Sequence, residues 1–207
     1  MAEPGRSARV VPSARVQEKR RRRRREILQA ALRAFRQRGY HETTLEDIAA
    51  RLNIRSTALY YYFPDKETIL HACHREALEE VEHILAEALR RYSAAPDRLG
   101  FVISEHVRVM TDSLEGTPLA LDTTSLSPSH AAQVIARRDR YENAVRGVID
   151  EGIAAGVFRA VDSKVAAFVI FGAINWIARW YRPGGSLQPA ELGARFADYL
   201  TGGLTCR

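Results

Sequence analysis

The sequence predicts an all-α protein. Apolar residues recur at helical spacing in every patterned stretch, Ser, Thr, Asp, Pro and Gly stand where those stretches begin and end, and no segment alternates with period two for long enough to make a strand. About nine helices follow, three in an N-terminal head and six in the remainder. Of the 207 residues, 46% are apolar and 27% charged, a balance typical of a globular chain that can bury a sizeable core.

Residues 1–18 mix Pro, Gly, Ser and Arg without a period and are expected to form a disordered basic arm. The basic run Lys19–Arg25 leads into Ile27, Leu28, Ala31, Leu32 and Phe35, closed by Gly39. Thr43 and Thr44 are the candidate caps of a helix over 44–52, and Thr43 with Glu46 has the spacing of a capping box. A break at Asn53-Ile54 precedes a short helix over 55–62, which Pro64 ends; Asp65 then caps a long helix to about Tyr92. Pro96-Asp97 opens a helix to about Ser113, and a short one is expected near 118–125. Pro128 opens another, carrying Val134, Tyr141, Val145, Val148 and Ile149 and stopping at Gly156. Asp162 caps an apolar helix that ends before Pro183, and Pro189 starts the last, to about Leu200. The domains are therefore placed at 1–18 (arm), 19–66 (head) and 67–207 (body).

Charge separates head from body. Residues 1–66 hold 16 Lys/Arg against 7 Asp/Glu, a net of +9, and residues 67–207 hold 15 against 18, a net of −3. A basic head on a mildly acidic body is the asymmetry of a nucleic-acid reader joined to a separate module. No secretory h-region opens the chain, and the longest apolar run, Val165–Ile174, is about half a membrane span. Cys73 and Cys206 lie far apart without framework spacing, as in a reduced cytoplasmic chain. No cofactor, metal or catalytic motif stands out. Glu80 and His83 have the spacing of a di-iron pair, but such a site needs two of these pairs and two more carboxylates. His71, Cys73 and His74 do not share a helix face and lack a second ligand cluster.

Two short helices joined by a tight turn make a helix-turn-helix, anchored here by Leu45, Ile48, Ala49, Ile54 and Leu59. The second helix offers polar groups to the major groove from its N-terminal end: Arg55 suits a bidentate contact to guanine, and Ser56 and Thr57 pair with several base edges or with phosphate. Tyr60 and Tyr62 place hydroxyls on phosphates, Lys66 supplies a point charge, and Thr44 adds a hydroxyl and an amide at the preceding helix. The arginine run reads either as an arm that tracks phosphates or enters the minor groove, or as a solvated basic first turn that adds only non-specific affinity; the second is favoured for Arg20–Arg23, because a charge run alone carries no geometry.

Thr44-Leu-Glu-Asp-Ile-Ala-Ala-Arg-Leu-Asn-Ile, followed by Thr57-Ala-Leu-Tyr-Tyr-Tyr-Phe-Pro-Asp-Lys66, resembles the N-terminal domain of TetR-family repressors. The resemblance implies a three-helix DNA-binding head followed by a six-helix ligand-binding and dimerisation domain, and no enzyme. It also implies phosphate contacts from Tyr60, Tyr62 and Lys66, with Tyr61 partly a packing residue. The chain departs from the family at Arg55-Ser56-Thr57-Ala58, which bears on base preference rather than on the mode of binding.

In the body, Trp176 and Arg179 share a face with Gly172 on the apolar helix. An Arg beside an indole in an apolar wall suits the charged part of an amphipathic ligand. The stretch Arg179-Trp-Tyr-Arg-Pro-Gly-Gly185 resembles the acyl-CoA-responsive branch of the family, which implies release from DNA by a CoA thioester. Asn175, Trp176 and Arg179 are the candidate ligand residues, although Phe171 and Asn175 stand where sterol-type members carry Arg and Trp, so only Arg179 carries over directly. The same helix with Trp176 and Trp180 equally suits a dimer interface. A homodimer reading a palindromic double-stranded operator is expected, with no membrane partner. The competing readings are a helical-bundle metalloenzyme and a sequence-blind nucleic-acid-binding module.

Overall fold

A computed structural model describes residues 14–113, 123–182 and 184–206. Eight α-helices follow one another among them: α1 (Ala14–Arg38), α2 (Leu45–Arg51), α3 (Ser56–Tyr60), α4 (Lys66–Arg91), α5 (Ala95–Arg108), α6 (Pro128–Ala154), α7 (Ser163–Trp180) and α8 (Pro189–Gly202). The α5 helix continues into a wider π-helical turn, Val109–Ser113, in which the Thr111 hydroxyl bonds back to the carbonyls of Val107 and Arg108. Most of the helix expected near 118–125, and residues 1–13 of the expected arm, lie outside the described residues. Among the described residues the one β-type pairing is an isolated antiparallel bridge between Phe158 and Thr205.

The start of α1 departs from expectation. Residues 14–18 are helical, not part of a disordered arm. Arg, Gln and Glu are good helix formers, and pairs such as Glu18–Arg21 at 3.1 Å support the first turns. Gly39 (φ +86°) ends α1 and Gly156 (φ +70°) ends the turn after α6, both in the left-handed region expected of a helix stop.

The capping box of α2 sits one residue later than the sequence spacing suggests. Thr44 is the cap: its hydroxyl accepts from the Asp47 amide at 3.1 Å, and the Asp47 carboxylate accepts the Thr44 amide at 2.9 Å. Thr43 is buried instead and donates its hydroxyl to the Gly39 carbonyl at 2.7 Å, closing the end of α1. Only one of two adjacent threonines can occupy the extended cap position, and the turn from Gly39 carries Thr43 inward. Asp65 and Asp162 cap α4 and α7 as expected.

The head buries Ile27, Ala31, Phe35, Ile48, Leu59 and Phe63 around the first turns of α4. The proposed boundary at 66/67 falls inside the first turn of α4, so one helix serves both domains. In the body, α5 packs against α4, α6 and α8, with Leu99, Ile103, Val148 and Ile149 in the shared core. Phe158 is buried against Gly152, where a Cβ would lie 2.1 Å from its ring. Gly152→Ala is therefore expected to overpack this corner at a cost of about 1–3 kcal/mol. Urea unfolding checks it, and a variant as stable as the wild type would contradict the contact.

Candidate nucleic-acid interface and internal cavity

Between α2 and α3 the chain turns on Asn53, whose φ of +51° is a conformation Asn tolerates better than most side chains. The Ile54 amide then bonds to the Ala49 carbonyl at 3.1 Å, and Leu59 is fully buried against the head core. These anchors leave one side of α3 open. Arg55, the N-cap, is exposed together with Thr57, Tyr60 and Tyr61, and Ser56 is half-buried. Tyr61 is 70% exposed, whereas Tyr62 is partly packed on the core, with the two rings edge to face at 5.2 Å. The packing role expected of Tyr61 thus falls to Tyr62.

Two of the expected phosphate contacts are engaged internally. Thr44 uses its amide and hydroxyl in the capping box. Lys66 donates to the carbonyls of Tyr40 (2.7 Å), Thr43 (2.8 Å) and His41 (3.1 Å), and its ammonium stands 4.4 Å from the centre of the Tyr40 ring. An ammonium has three N–H donors, and each has a carbonyl here. Lys66 therefore fastens α4 to the turn between α1 and α2. Glu67, the next residue, faces the body: its carboxylate accepts from the Ser127 amide at 2.9 Å and lies 2.7 Å from His130 Nδ1. Burial opposes its charge, but the Ser127 and His130 hydrogen bonds hold the carboxyl below the usual range.

A cavity of about 330 Å³ opens among α4, α5, α6 and α7. Leu78, Phe168 and Phe171 form its apolar wall, and His106, Arg138, Tyr141, Glu142 and Asn175 supply polar groups. His106 is buried and its pKa is pushed down to about 4 by desolvation, so the ring is neutral near pH 7. Its Nδ1 lies 3.4 Å from the Tyr141 hydroxyl, while its Nε2 has no partner among the described residues. His74, one turn from Leu78, is also buried and neutral, with a pKa of about 3 set by desolvation and then Arg138, whose guanidinium lies 3.2 Å from its Nδ1.

Of the three expected ligand residues, Asn175 alone lines this cavity. Trp176 is 63% exposed, and Arg179 is exposed beside it with its guanidinium 5.9 Å from the indole. Only Ala167, Ile170, Ile174 and Ile177 of α7 are buried. The opposite side presents Val165, Val169, Gly172, Trp176 and Trp180 as one exposed stripe, so the apolar helix is covered on one side by its own chain. Sequence reasoning missed His106, Arg138, Tyr141 and Glu142. A lone His on the apolar face of α5 was the only signal, and helical periodicity does not separate cavity wall from core.

Residues 27–73 match the family model described as bacterial regulatory proteins, tetR family, and residues 92–204 match a tetracyclin repressor-like C-terminal domain. The fatty acid metabolism regulator protein of Bacillus subtilis (strain 168) is 26% identical over 184 residues, which cover 86% of this chain and 94% of that protein. Among solved structures, the TetR family transcriptional regulator PfmR from Thermus thermophilus is 31% identical with a TM-score of 0.77, covering 87% of this chain and 99% of its own. AibR, solved in complex with isovaleryl coenzyme A and operator DNA, shares the fold at a TM-score of 0.75 and 24% identity, covering 88% of this chain and 98% of its own.

The two roles of Lys66 are separable. As a fastener, Lys66→Met is expected to cost about 2 kcal/mol, a fall in Tm of roughly 4–8 °C for a chain of this size. A phosphate contact alone would leave Tm unchanged and lower only the salt dependence of DNA binding, so an unaltered melting curve would overturn the fastener.

Proposed function

The chain belongs to the tetR family of bacterial regulatory proteins, which are DNA-binding regulators and not enzymes, and on that premise we propose that it is a repressor that grips a palindromic operator as a homodimer and is released by a CoA thioester. The observation that carries this reading is that α4 holds Lys66, which fastens the head, and Leu78, which lines the cavity, on one continuous helix.

Each part has physical support. Arg55 and Thr57 stand exposed at the start of α3 for base edges, with Ser56 beside them, and the hydroxyls of Tyr60, Tyr61 and Tyr62 suit phosphates. One such helix reads only a few base pairs, so a two-fold dimer is needed, with half-sites about 34–36 Å apart or somewhat more. The exposed stripe on α7 supplies a self-complementary apolar face for that dimer. The cavity is at the small end of the range for ligand sites, about 300–1,000 Å³. It accommodates an acyl group and leaves the nucleotide outside. The unpartnered Nε2 of His106 suits an acceptor such as the thioester carbonyl. Asn175 stands at the cavity and Arg179 one helical turn further on, exposed, where a diphosphate would find it. The isovaleryl coenzyme A of AibR, on a similar fold, has this chemistry. Release follows if the thioester fits only an arrangement of α4 in which the two heads are misspaced; operator DNA then weakens thioester binding by the same factor. This function is exercised on the chromosome, in the cytoplasm.

The test begins with duplexes selected by the protein from a random-sequence library, followed by footprinting and titration with isovaleryl-CoA, longer acyl-CoA thioesters, free CoA and an apolar cation. Two protected half-sites are expected, with release by a thioester and not by free CoA. His106→Gln is expected to raise the thioester concentration for release about tenfold, the equivalent of one hydrogen bond, with operator affinity unchanged. Sequence-blind protection would sink the repressor reading, and release by the cation alone would sink the thioester.

Val169→Asp places a charge in the stripe and is expected to convert a dimer to a monomer in sedimentation, with loss of palindrome binding. A wild-type chain that sediments as a monomer at micromolar concentration contradicts the dimer.

A further inference from the structure

We propose that the N-terminal part of α1, residues 14–26, is a second DNA-contacting element, a cationic helix that holds the phosphate backbone of duplex DNA beside α3. The proposal rests on the DNA-binding reading above and extends it to residues for which that reading has no use.

The first buried residue of α1 is Ile27. The thirteen residues before it build no core, yet they continue the helix for about 20 Å. Two arginines fix this extension to the end of the helix-turn-helix. Arg24 donates to the Tyr62 carbonyl at 2.9 Å and lies 4.2 Å from the centre of the Phe63 ring, and the Arg20 guanidinium stands 5.7 Å from the Tyr61 ring. The extension is therefore oriented with respect to the reading helix, which an isolated charge run would not be.

A basic groove of about 800 Å³ lies between the extension and Tyr62. Arg15, Lys19 and Arg22 border it from one helical stripe, at spacings of four and three residues, with Arg23 beside them. The carboxylates in the groove are Glu18 and Glu26. Glu18 pairs with Arg21, and Glu26 with Arg22 and Arg23. Arg15 and Lys19 have no partner among the described residues.

Electrostatics indicate what fills the groove. Residues 14–26 hold eight cations and two carboxylates, an excess of six that equals the net charge of the whole chain. No acidic residue stands in the first turn, where the helix dipole favours one. The extension is thus a helix that repels itself and opposes its own dipole, and a polyanion relieves both. Duplex DNA is the polyanion already placed next to it, because Tyr60 and Tyr61 are exposed on the adjoining face. Neutralising its phosphates releases counterions and steepens the salt dependence of binding.

The experiment compares wild type, R15Q/K19Q/R22Q and R21Q on two duplexes, one carrying the selected operator and one of random sequence, by fluorescence anisotropy from 50 to 300 mM salt. Circular dichroism and Tm verify that each variant is folded, and R15Q/K19Q replaces the triple variant should it lose helicity. The slope of log K against log salt is expected to be shallower by about 2.7 for the triple variant, near 0.9 for each of the three phosphates lost, and unchanged for R21Q. An unchanged slope for the folded triple variant overturns the proposal. Equal losses from R21Q overturn it as well, since they indicate diffuse attraction and no built groove. If the wild type selects no operator while the slope difference persists on the random duplex, the repressor reading fails and the second contact stands.

Discussion

Three backbone carbonyls in the turn between α1 and α2, those of Tyr40, His41 and Thr43, share one ammonium, and the attachment of α4 to the head depends on it. Turns leave carbonyls outside any helical ladder, and leaving them unpaired as the chain packs is costly. Lys66 resolves that need from the first residue of α4, with the Tyr40 ring over its charge. A cation at a helix N-terminus opposes the dipole, and Asp65 at the cap with Glu67 in the first turn offsets it. The entry direction of a 26-residue helix is thus set by hydrogen bonds to the reading head.

Glu67 makes the complementary attachment. Lys66 reaches back to the head while Glu67 binds the Ser127 amide and His130 at the start of α6, and the His130 ring stacks on His71 of α4 at 3.8 Å. Adjacent residues with opposite charge therefore tie two parts of the molecule to one turn of helix. Arg138, Tyr141 and Glu142 lie two to four turns along the same α6 and line the cavity. A displacement of α6 must carry the first turn of α4 with it or break the Glu67 bonds, and close-packed helices offer few intermediate arrangements.

Much of this architecture was legible in the sequence because helices announce themselves by period and punctuation. Asp65, Asp162, Pro128 and Pro189 mark starts, Gly39 and Gly156 mark stops, and Leu59 with Tyr60 identifies the reading helix. What was not legible concerns contacts distant in the chain. Lys66 sits at a position that reads as a free charge, and only the fold shows that three carbonyls more than twenty residues away converge on it. The cap of α2 shifted from Thr43 to Thr44 because the choice between neighbours is made by the turn that precedes them. Cavity residues such as Tyr141 and His106 carry the same periodic signature as core, since a wall and a core differ only in what lies opposite. Trp176 and Arg179 share a face, as the spacing indicates, but that face turns outward.

Under the proposed pairing, the bare stripe on α7 also makes abundance a variable in its own right. Val169 at 58% and Trp176 at 63% exposed are the kind of surface that a second copy covers more readily than water does. For a protein that pairs through such a face, stability is inseparable from concentration. At low copy number the population of paired chains grows with the square of the number made, so a small change in synthesis produces a larger one in occupancy. A gene under such control switches more sharply with dosage than one governed by single chains.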